Sequence, residues 1–287
     1  MDFSKTLCDD LMLNKKEISL LSKCDNFGQL NHTHKNLITY LEDETYLEEV
    51  NSKKNIRLVI VKEELKKHLK HDYIVRDKAE MTFWTLYDAF SAREQKKFKT
   101  SIGSECVISA TAHIPKENVI LGKNCKINEN VVLKEGVEIG DNTSIEANSV
   151  IGADGFQVKE TIYGKRYIKH NGKVKIGNDV TIGALNNIHK GFMGMDTVIG
   201  DFSATDAHVH IGHNAKLGRR VTLASGTTLS GYVDIGDDVF VGVHAVFTPR
   251  VSICKGSFVG GGALVSKSCA IPTTFLAARS RIKEFVQ

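Results

Sequence analysis

From Ile211 to Val265 an aliphatic or aromatic residue falls on every sixth position: Ile211, Leu217, Leu223, Leu229, Ile235, Val241, Phe247, Ile253, Val259 and Val265. Glycine follows half of them directly (Gly212, Gly218, Gly236, Gly242, Gly260), and Asp, Asn, Lys or Arg stand in most of the intervening turns. A period of six fits neither the 3.6 of a helix nor the 2 of an ordinary strand; it is the hexapeptide beat of a parallel β-helix. Each short strand turns one apolar side chain inward, and a glycine or small polar residue turns the corner. No single coil can bury that side chain, so stacking makes the core.

The same beat runs upstream through Leu121, Ile127, Leu133, Ile139, Ile145 and Ile151, with Ile102, Ile108 and Ile114 before it after a one-residue slip. Ile176, Ile182 and Ile188 form a further block, and Ile199 is in frame with the last, with Thr205 as the weak position. Two slips interrupt the count. Ala153-Asp154-Gly155-Phe156 through Lys173 is looped out of the coil, and a second irregularity lies at His189-Lys190-Gly191-Phe192-Met193-Gly194-Met195-Asp196. Long excursions from a rigid solenoid are where sites tend to be carried, the alternative being a tolerated surface insertion.

Residues 1–100 are patterned differently. Glu63 to Lys70 and Ala79 to Phe98 carry helical periodicity, the latter with Phe83, Trp84, Leu86, Tyr87 and Phe90 as a mostly apolar face. Ile56 to Val61 and Tyr73-Ile74-Val75 look like short strands, which predicts a small α/β domain ahead of a solenoid domain over 101–287. Tyr40 and Tyr46 stand beside the acidic residues of the stretch Glu42 to Glu49; a stack on a nucleotide base is one reading, while spacing alone favours core packing.

Composition narrows the function classes. With 41% hydrophobic and 25% charged residues and no apolar run of membrane-spanning or signal-peptide length, the expectation is a cytoplasmic protein without a transmembrane segment. The formal charge of +4 is mild and the basic residues are dispersed apart from Lys96-Lys97-Lys99, so nucleic-acid binding is not indicated. Cys8, Cys24, Cys106, Cys125, Cys254 and Cys269 show no CxxC spacing and read as reduced thiols. His208, His210 and His213 cluster, but His213 lies around a corner from the other two. His244 stacks two coils beyond His208, at ~9.6 Å too far for one ion with bonds of ~2.1 Å. No metal site is expected.

A small α/β domain before a hexapeptide solenoid, with Val150-Ile151-Gly152-Ala153-Asp154-Gly155-Phe156 and Val209-His210-Ile211-Gly212-His213-Asn214, resembles the UDP-3-O-acylglucosamine N-acyltransferases over essentially the whole chain. That resemblance implies a left-handed parallel β-helix and a homotrimer with active sites in the clefts between chains. It implies His213 as general base, Gly231 as the backbone oxyanion donor one coil further on, and Asp206 as a residue that could orient the imidazole. Leu37-Ile38-Thr39-Tyr40 and Tyr46 are similar to the family segment whose two aromatics sandwich uracil, which makes Tyr40 and Tyr46 nucleotide contacts. Asp154, Gly155 and Phe156, with His210 and Asn214, would enclose the sugar. The base fits the chemistry, because an ammonium is not nucleophilic and a group with pKa near 7 can remove its proton as it attacks a thioester.

The chain departs from that family in three places. Arg250 stands where the family has a second histidine, and Gly260-Gly261-Gly262-Ala263-Leu264 replaces its methionine-rich acyl-pocket segment, so Gly262 and Leu264 are expected to line a pocket of altered size. With Gln287 soon after the last coil, the family's C-terminal helical extension is expected to be nearly absent. The expected activity is acyl transfer from acyl-CoA or acyl carrier protein to the amine of a nucleotide-linked amino sugar, with no bound cofactor. A carbonic anhydrase-like metal trimer and a non-catalytic solenoid are the alternatives.

Overall fold

The computed structural model describes residues 1, 3–93 and 97–277; residues 94–96, within the helical periodicity of 79–98, and 278–287, within the expected short tail, lie outside the described residues. Two compact units emerge: Met1–Gln95 with Phe156–Asn171, and Lys96–Gly155 with Gly172–Gln287.

The first unit is built on four parallel strands in the order β1 (Asn26–Phe27), β2 (Leu37–Leu41), β3 (Ile56–Val61) and β4 (Asp72–Val75). Every residue of β3 except Arg57 is buried, as expected of a central parallel strand covered on both faces. Helix α1 (Lys5–Asp10) starts where the Ser4 side chain accepts from Leu7 N–H, and α2 (Lys15–Ser22) opens with a capping box between Asn14 and Glu17. Helix α3 spans Leu47–Ser52, and α4 spans Ala79–Ser91, shorter than its periodicity suggested. Phe83, Trp84, Leu86 and Tyr87 of α4 are fully buried, and Phe27 meets Phe83 and Tyr87 edge-on at ring distances of 5.4 Å. The expected α-helix at 63–70 is instead a 3₁₀ helix, Glu63–His68, which buries only Leu65. One apolar contact is too little to hold a longer α-helical stripe against the core.

The looped-out segment also differs from expectation. Val158–Thr161 and Gly164–Tyr167 form an antiparallel hairpin that counts with the first unit rather than the solenoid. It is fixed to α4 by Lys159 over the Trp84 ring at 4.6 Å, Ile162 N–H donating to Thr85 Oγ1 at 3.0 Å, and Tyr87 OH donating to Asn171 Oδ1 at 2.9 Å.

The second unit is a three-faced parallel solenoid. Its faces hold eight, nine and seven described strands, and every in-register neighbour is parallel. From Leu121 to Val265 the framed aliphatics fall into one continuous core. The weak position, Thr205, is buried and accepts at Oγ1 from Asn186 Nδ2 at 2.9 Å, so a polar pair replaces the missing aliphatic without leaving a buried group unpaired. Corners repeatedly use Asn or Asp with positive φ, such as Asn124 (55°), Asn142 (57°) and Asp179 (55°), and their side chains ladder from coil to coil at 3.1 Å. Where the chain runs closest, only glycine fits: a Cβ on Gly200 would lie 2.4 Å from the Gly218 carbonyl oxygen. Among the described residues no helix is long and apolar enough to cross a membrane.

Candidate active site

His213 follows the third-face strand His210–Ile211 at the corner leading back to the first face, and it is 8% exposed. Its neighbour Asn214 takes the positive-φ corner position (61°), which turns the amide inward. There Asn214 Oδ1 accepts from Phe192 N–H at 2.9 Å and Nδ2 donates to Phe192 O at 2.9 Å. That reciprocal pair sets the amide orientation, since a flipped amide would point a donor at a donor. Oδ1 therefore faces His213 Nδ1, 2.8 Å away, and Nδ1 must carry the ring proton. In the neutral imidazole Nε2 is then the lone-pair nitrogen.

Nε2 lies over Gly231, one coil on, where an added Cβ would sit 2.6 Å from it. The ring is held edge-on between Phe192 (5.8 Å) and Tyr232 (5.2 Å), and the Arg250 guanidinium lies over the Tyr232 ring at 5.2 Å. Asn214, Tyr232 and Arg250 occupy the same corner on successive coils, with φ of 61°, 63° and 65°. The Gly231 N–H donates to none of the described residues, although the glycine's carbonyl accepts from Arg250 N–H at 3.1 Å.

Burial favours the neutral form of the imidazoles gathered here. Burial holds the His213 imidazole below its usual pKa; the bond to Asn214 works the other way, and Arg250 and His210 lower it further. Burial also lowers His210, and burial with the neighbouring imidazoles pushes His189 down to about 4. His189 and His210 meet edge-on at 4.6 Å, and Lys190 next to them pairs with Asp154 at 2.9 Å. The Tyr232 phenol is pushed up to about 12 by burial.

The solenoid thus brings together His213, Asn214, Gly231, His210 and Asp154 from the expected set. Asp206 is not the residue at Nδ1: it sits at a different corner, after the second face, and its Oδ1 accepts from Ala207 N–H at 2.7 Å, while Asn214 holds the imidazole. Gly262 turns the corner into the third face with φ 68°. Leu264 lies at the end of an outward column, His210, Thr228, Val246, Leu264, in which Val246 and Leu264 are 40% and 70% exposed. At ~4.8 Å per strand that column runs ~14 Å from His210.

Tyr40, Tyr46 and Phe156 belong to the other unit. The Tyr40 ring packs on Phe83 at 5.0 Å, Tyr46 is 54% exposed, and Phe156 is 78% exposed beside Tyr167 at 6.3 Å. His189, Lys190, Phe192 and Tyr232 were not singled out from the sequence as site residues. Tyr232 was reachable by adding one 18-residue coil to Asn214; Phe192 was not, because the excursion that carries it has no frame. Among the described residues no group of three His, Cys, Asp or Glu side chains is arranged to hold a metal ion.

Family comparisons agree with this architecture. Residues 118–153 match the family described as bacterial transferase hexapeptide (six repeats), and residues 99–135 and 232–267 match the hexapeptide repeat of succinyl-transferase. A UDP-3-O-acylglucosamine N-acyltransferase from Caulobacter sp. (strain K31) is 36% identical over 48% of this chain and 40% of its own length. The solenoid is similar to the hexapeptide-repeat acyltransferases. An acyl-[acyl-carrier-protein]–UDP-N-acetylglucosamine O-acyltransferase from Thermodesulfovibrio yellowstonii is 36% identical over 48% of this chain and 56% of its own. Among solved structures, a UDP-N-acetylglucosamine acyltransferase from Campylobacter jejuni superposes with a TM-score of 0.53 and 27% identity, over 59% of this chain and 64% of that one. The solenoid of this hexapeptide-repeat protein is a left-handed parallel β-helix, following a separate α/β region. The chain spans less than two thirds of the length of these relatives that it matches.

Proposed function

We propose that the protein transfers an acyl group from a pantetheine thioester, carried by CoA or acyl carrier protein, to the amine of a nucleotide-linked amino sugar, working in the cytoplasm as a homotrimer. The observation that carries this reading is that His213, its Nδ1 turned to Asn214, presents Nε2 over Gly231, whose N–H donates to none of the described residues. A base and an oxyanion donor one coil apart are what acyl transfer requires. The amine attacks the thioester carbonyl as His213 Nε2 takes its proton; the oxyanion accepts from Gly231 N–H. Collapse breaks the C–S bond, and His213 returns the proton to the departing sulfur, leaving amide and thiol.

His210 and His189, both neutral, offer hydrogen bonds to sugar hydroxyls, and Lys190 with Asp154 closes that side. Val246 and Leu264 would lie along the acyl chain. The exposed Phe240 and Phe258, stacked at 5.4 Å on the second face, support a buried contact between copies. Tyr40 and Tyr46 are the proposed nucleotide contacts, and the names of the relatives support a UDP-sugar.

The test is His213→Ala. Turnover of an amino-sugar nucleotide with acyl thioester should fall by about 100-fold or more, with nucleotide binding retained. Turnover within threefold of wild type removes His213 from the mechanism. A hydroxyl-bearing sugar nucleotide offered in parallel separates N- from O-acylation.

A further inference from the structure

The first face of the solenoid runs out of strands before the other end of the chain is reached. On its earlier coils the residue after each framed aliphatic donates to the next coil: Gly200 N–H to Leu217 O at 2.9 Å, Gly218 to Ile235 O at 2.8 Å and Gly236 to Ile253 O at 2.8 Å. Cys254 is the next position in that series, but Ser252–Ile253 is the last described strand of the face. The chain returns over this strand as Ser268-Cys269: Ser268 Oγ accepts from Ser252 N–H at 2.9 Å, and Cys269 N–H donates to Ser252 O at 3.0 Å. The Cys254 N–H therefore meets a sulfur instead of a carbonyl, donating to Cys269 Sγ at 3.1 Å.

That sulfur has a second donor. Ser257 Oγ accepts from Thr273 N–H at 3.0 Å, which leaves its own proton to point at Cys269 Sγ, 3.7 Å away. Hydrogen bonds donated to a sulfur favour the thiolate, the nucleophilic form. Burial raises the Cys269 thiol, but the bonds it accepts, that from the Cys254 backbone first, outweigh burial and hold it below the ordinary thiol range. Cys269 is partly exposed, so a small reagent can reach it.

The second thiol is next to the first. Cys254, also partly exposed, donates from Sγ to the carbonyl of Ala270, the residue after Cys269, at 3.5 Å. Backbone segments joined by ladder bonds run ~4.8 Å apart, inside the ~4.4–6.8 Å that a disulfide spans between Cα atoms. Cys106 and Cys125, at the start of the solenoid, offer no such nucleophile: burial pushes Cys125 up to about 11, and Cys106 Sγ keeps its proton on Gly122 O at 3.2 Å.

We propose that Cys269 is a peroxide-reactive nucleophile and Cys254 its resolving thiol, a redox modification site separate from the acyl-transfer chemistry. The Cys269 thiolate attacks one oxygen of hydrogen peroxide; the O–O bond breaks, the sulfur becomes a sulfenic acid, and the departing hydroxide takes up the proton that the thiol had released. The Cys254 sulfur then attacks the sulfenic sulfur, its proton leaves with the hydroxyl as water, and the S–S bond forms. Two thiols and one peroxide give one disulfide and two waters. A small dithiol reverses the change by exchange. The bond closes the chain from 254 to 269 into a ring that contains Gly262 and Leu264.

The test uses the full chain. In reduced wild type, iodoacetamide at neutral pH should alkylate Cys269 about tenfold or more faster than Cys254, Cys106 or Cys125, read residue by residue by mass spectrometry. This measurement needs no variant. One equivalent of hydrogen peroxide should then give a Cys254–Cys269 cross-linked peptide that dithiothreitol removes. Cys254→Ser should stop at the sulfenic acid, trapped at Cys269 by dimedone, and Cys269→Ser should give neither the adduct nor the cross-link. Cys269 alkylating no faster than Cys106, peroxide leaving both thiols free, or a cross-link to another cysteine or between copies overturns the proposal. Loss of acyl transfer in any assay bears on the reading above and leaves this one standing.

Discussion

Adding one methyl group at position 231 should disable the base without removing any group that takes part in the reaction. Gly231 does not have a positive φ, so alanine is free to adopt its backbone conformation. The cost is purely steric: the new Cβ would stand 2.6 Å from His213 Nε2, 2.8 Å from Cε1 and 3.1 Å from Cδ2. Ordinary contact begins at 3.4 Å, so the ring must retreat by at least 0.8 Å (3.4 − 2.6). It cannot do so freely, because Nδ1 is tied to Asn214 at 2.8 Å and the ring is flanked by Phe192 and Tyr232. A displacement near 1 Å in a reacting group costs about 100-fold in rate, and overpacking a filled site costs about 1–3 kcal/mol of stability. Gly231→Ala should therefore lower kcat by about 100-fold while the protein still folds, as read by steady-state acyl transfer beside a melting curve. If the methyl acts through the base, adding Gly231→Ala to His213→Ala should cost little more than His213→Ala alone. A folded Gly231→Ala enzyme within threefold of wild type would show that Nε2 is not the working atom.

The pH dependence follows from the same ring. Burial holds His213 below the ordinary imidazole pKa of ~6.5, and the base works only when neutral, so the acid limb that His213 contributes to kcat/KM should lie below pH 6.5. NMR titration of the His213 ring, assigned with His213→Ala, checks this; a midpoint at or above 6.5 refutes the burial account. The two tyrosines should separate cleanly. Tyr40→Ala removes a ring packed on Phe83 and should cost about 2 kcal/mol of stability. Tyr46→Ala, at an exposed position, should stay within ~0.5 kcal/mol yet lose about 1–3 kcal/mol of nucleotide affinity if the ring stacks on a base. Unchanged affinity in titration calorimetry would put the nucleotide elsewhere.

The six-residue beat exposes the solenoid to a reader of the sequence because each coil repeats one physical demand, an inward apolar side chain, and nothing else in the chain competes with it. Column arithmetic extends that legibility to the site: His213 and Gly231 are 18 apart, and so are Asn214, Tyr232 and Arg250. What could not be read were the places where the period fails. The excursion at 190–196 has no frame, yet Phe192 and Met193 are both buried. The hairpin after Gly155 pairs antiparallel within itself and packs on α4, contacts that join residues about 80 positions apart. Asp206 shows the limit of spacing alone, since seven residues span one face and a corner and set it at another edge of the triangle from His213 of the same chain.

The junction between the periodic and aperiodic parts is the Asn214 amide, and this explains why a corner residue can matter as much as the base it follows. The excursion is anchored at its far end by Asp196, which accepts from Lys173 N–H at 2.9 Å and pairs with Lys175 at 2.7 Å. Near its middle the Asn214 amide bonds both backbone groups of Phe192, and the same oxygen holds the proton on His213 Nδ1. A loop displaced by even a few tenths of an ångström would therefore change the tautomer-setting bond as well as the ring wall that Phe192 provides. Rigid coils fix the columns at ~4.8 Å spacing, and one side chain ties the irregular segment to that grid. Divergence in specificity can then proceed by substitution at outward column positions, leaving the inward frame, the corner conformation and the base untouched.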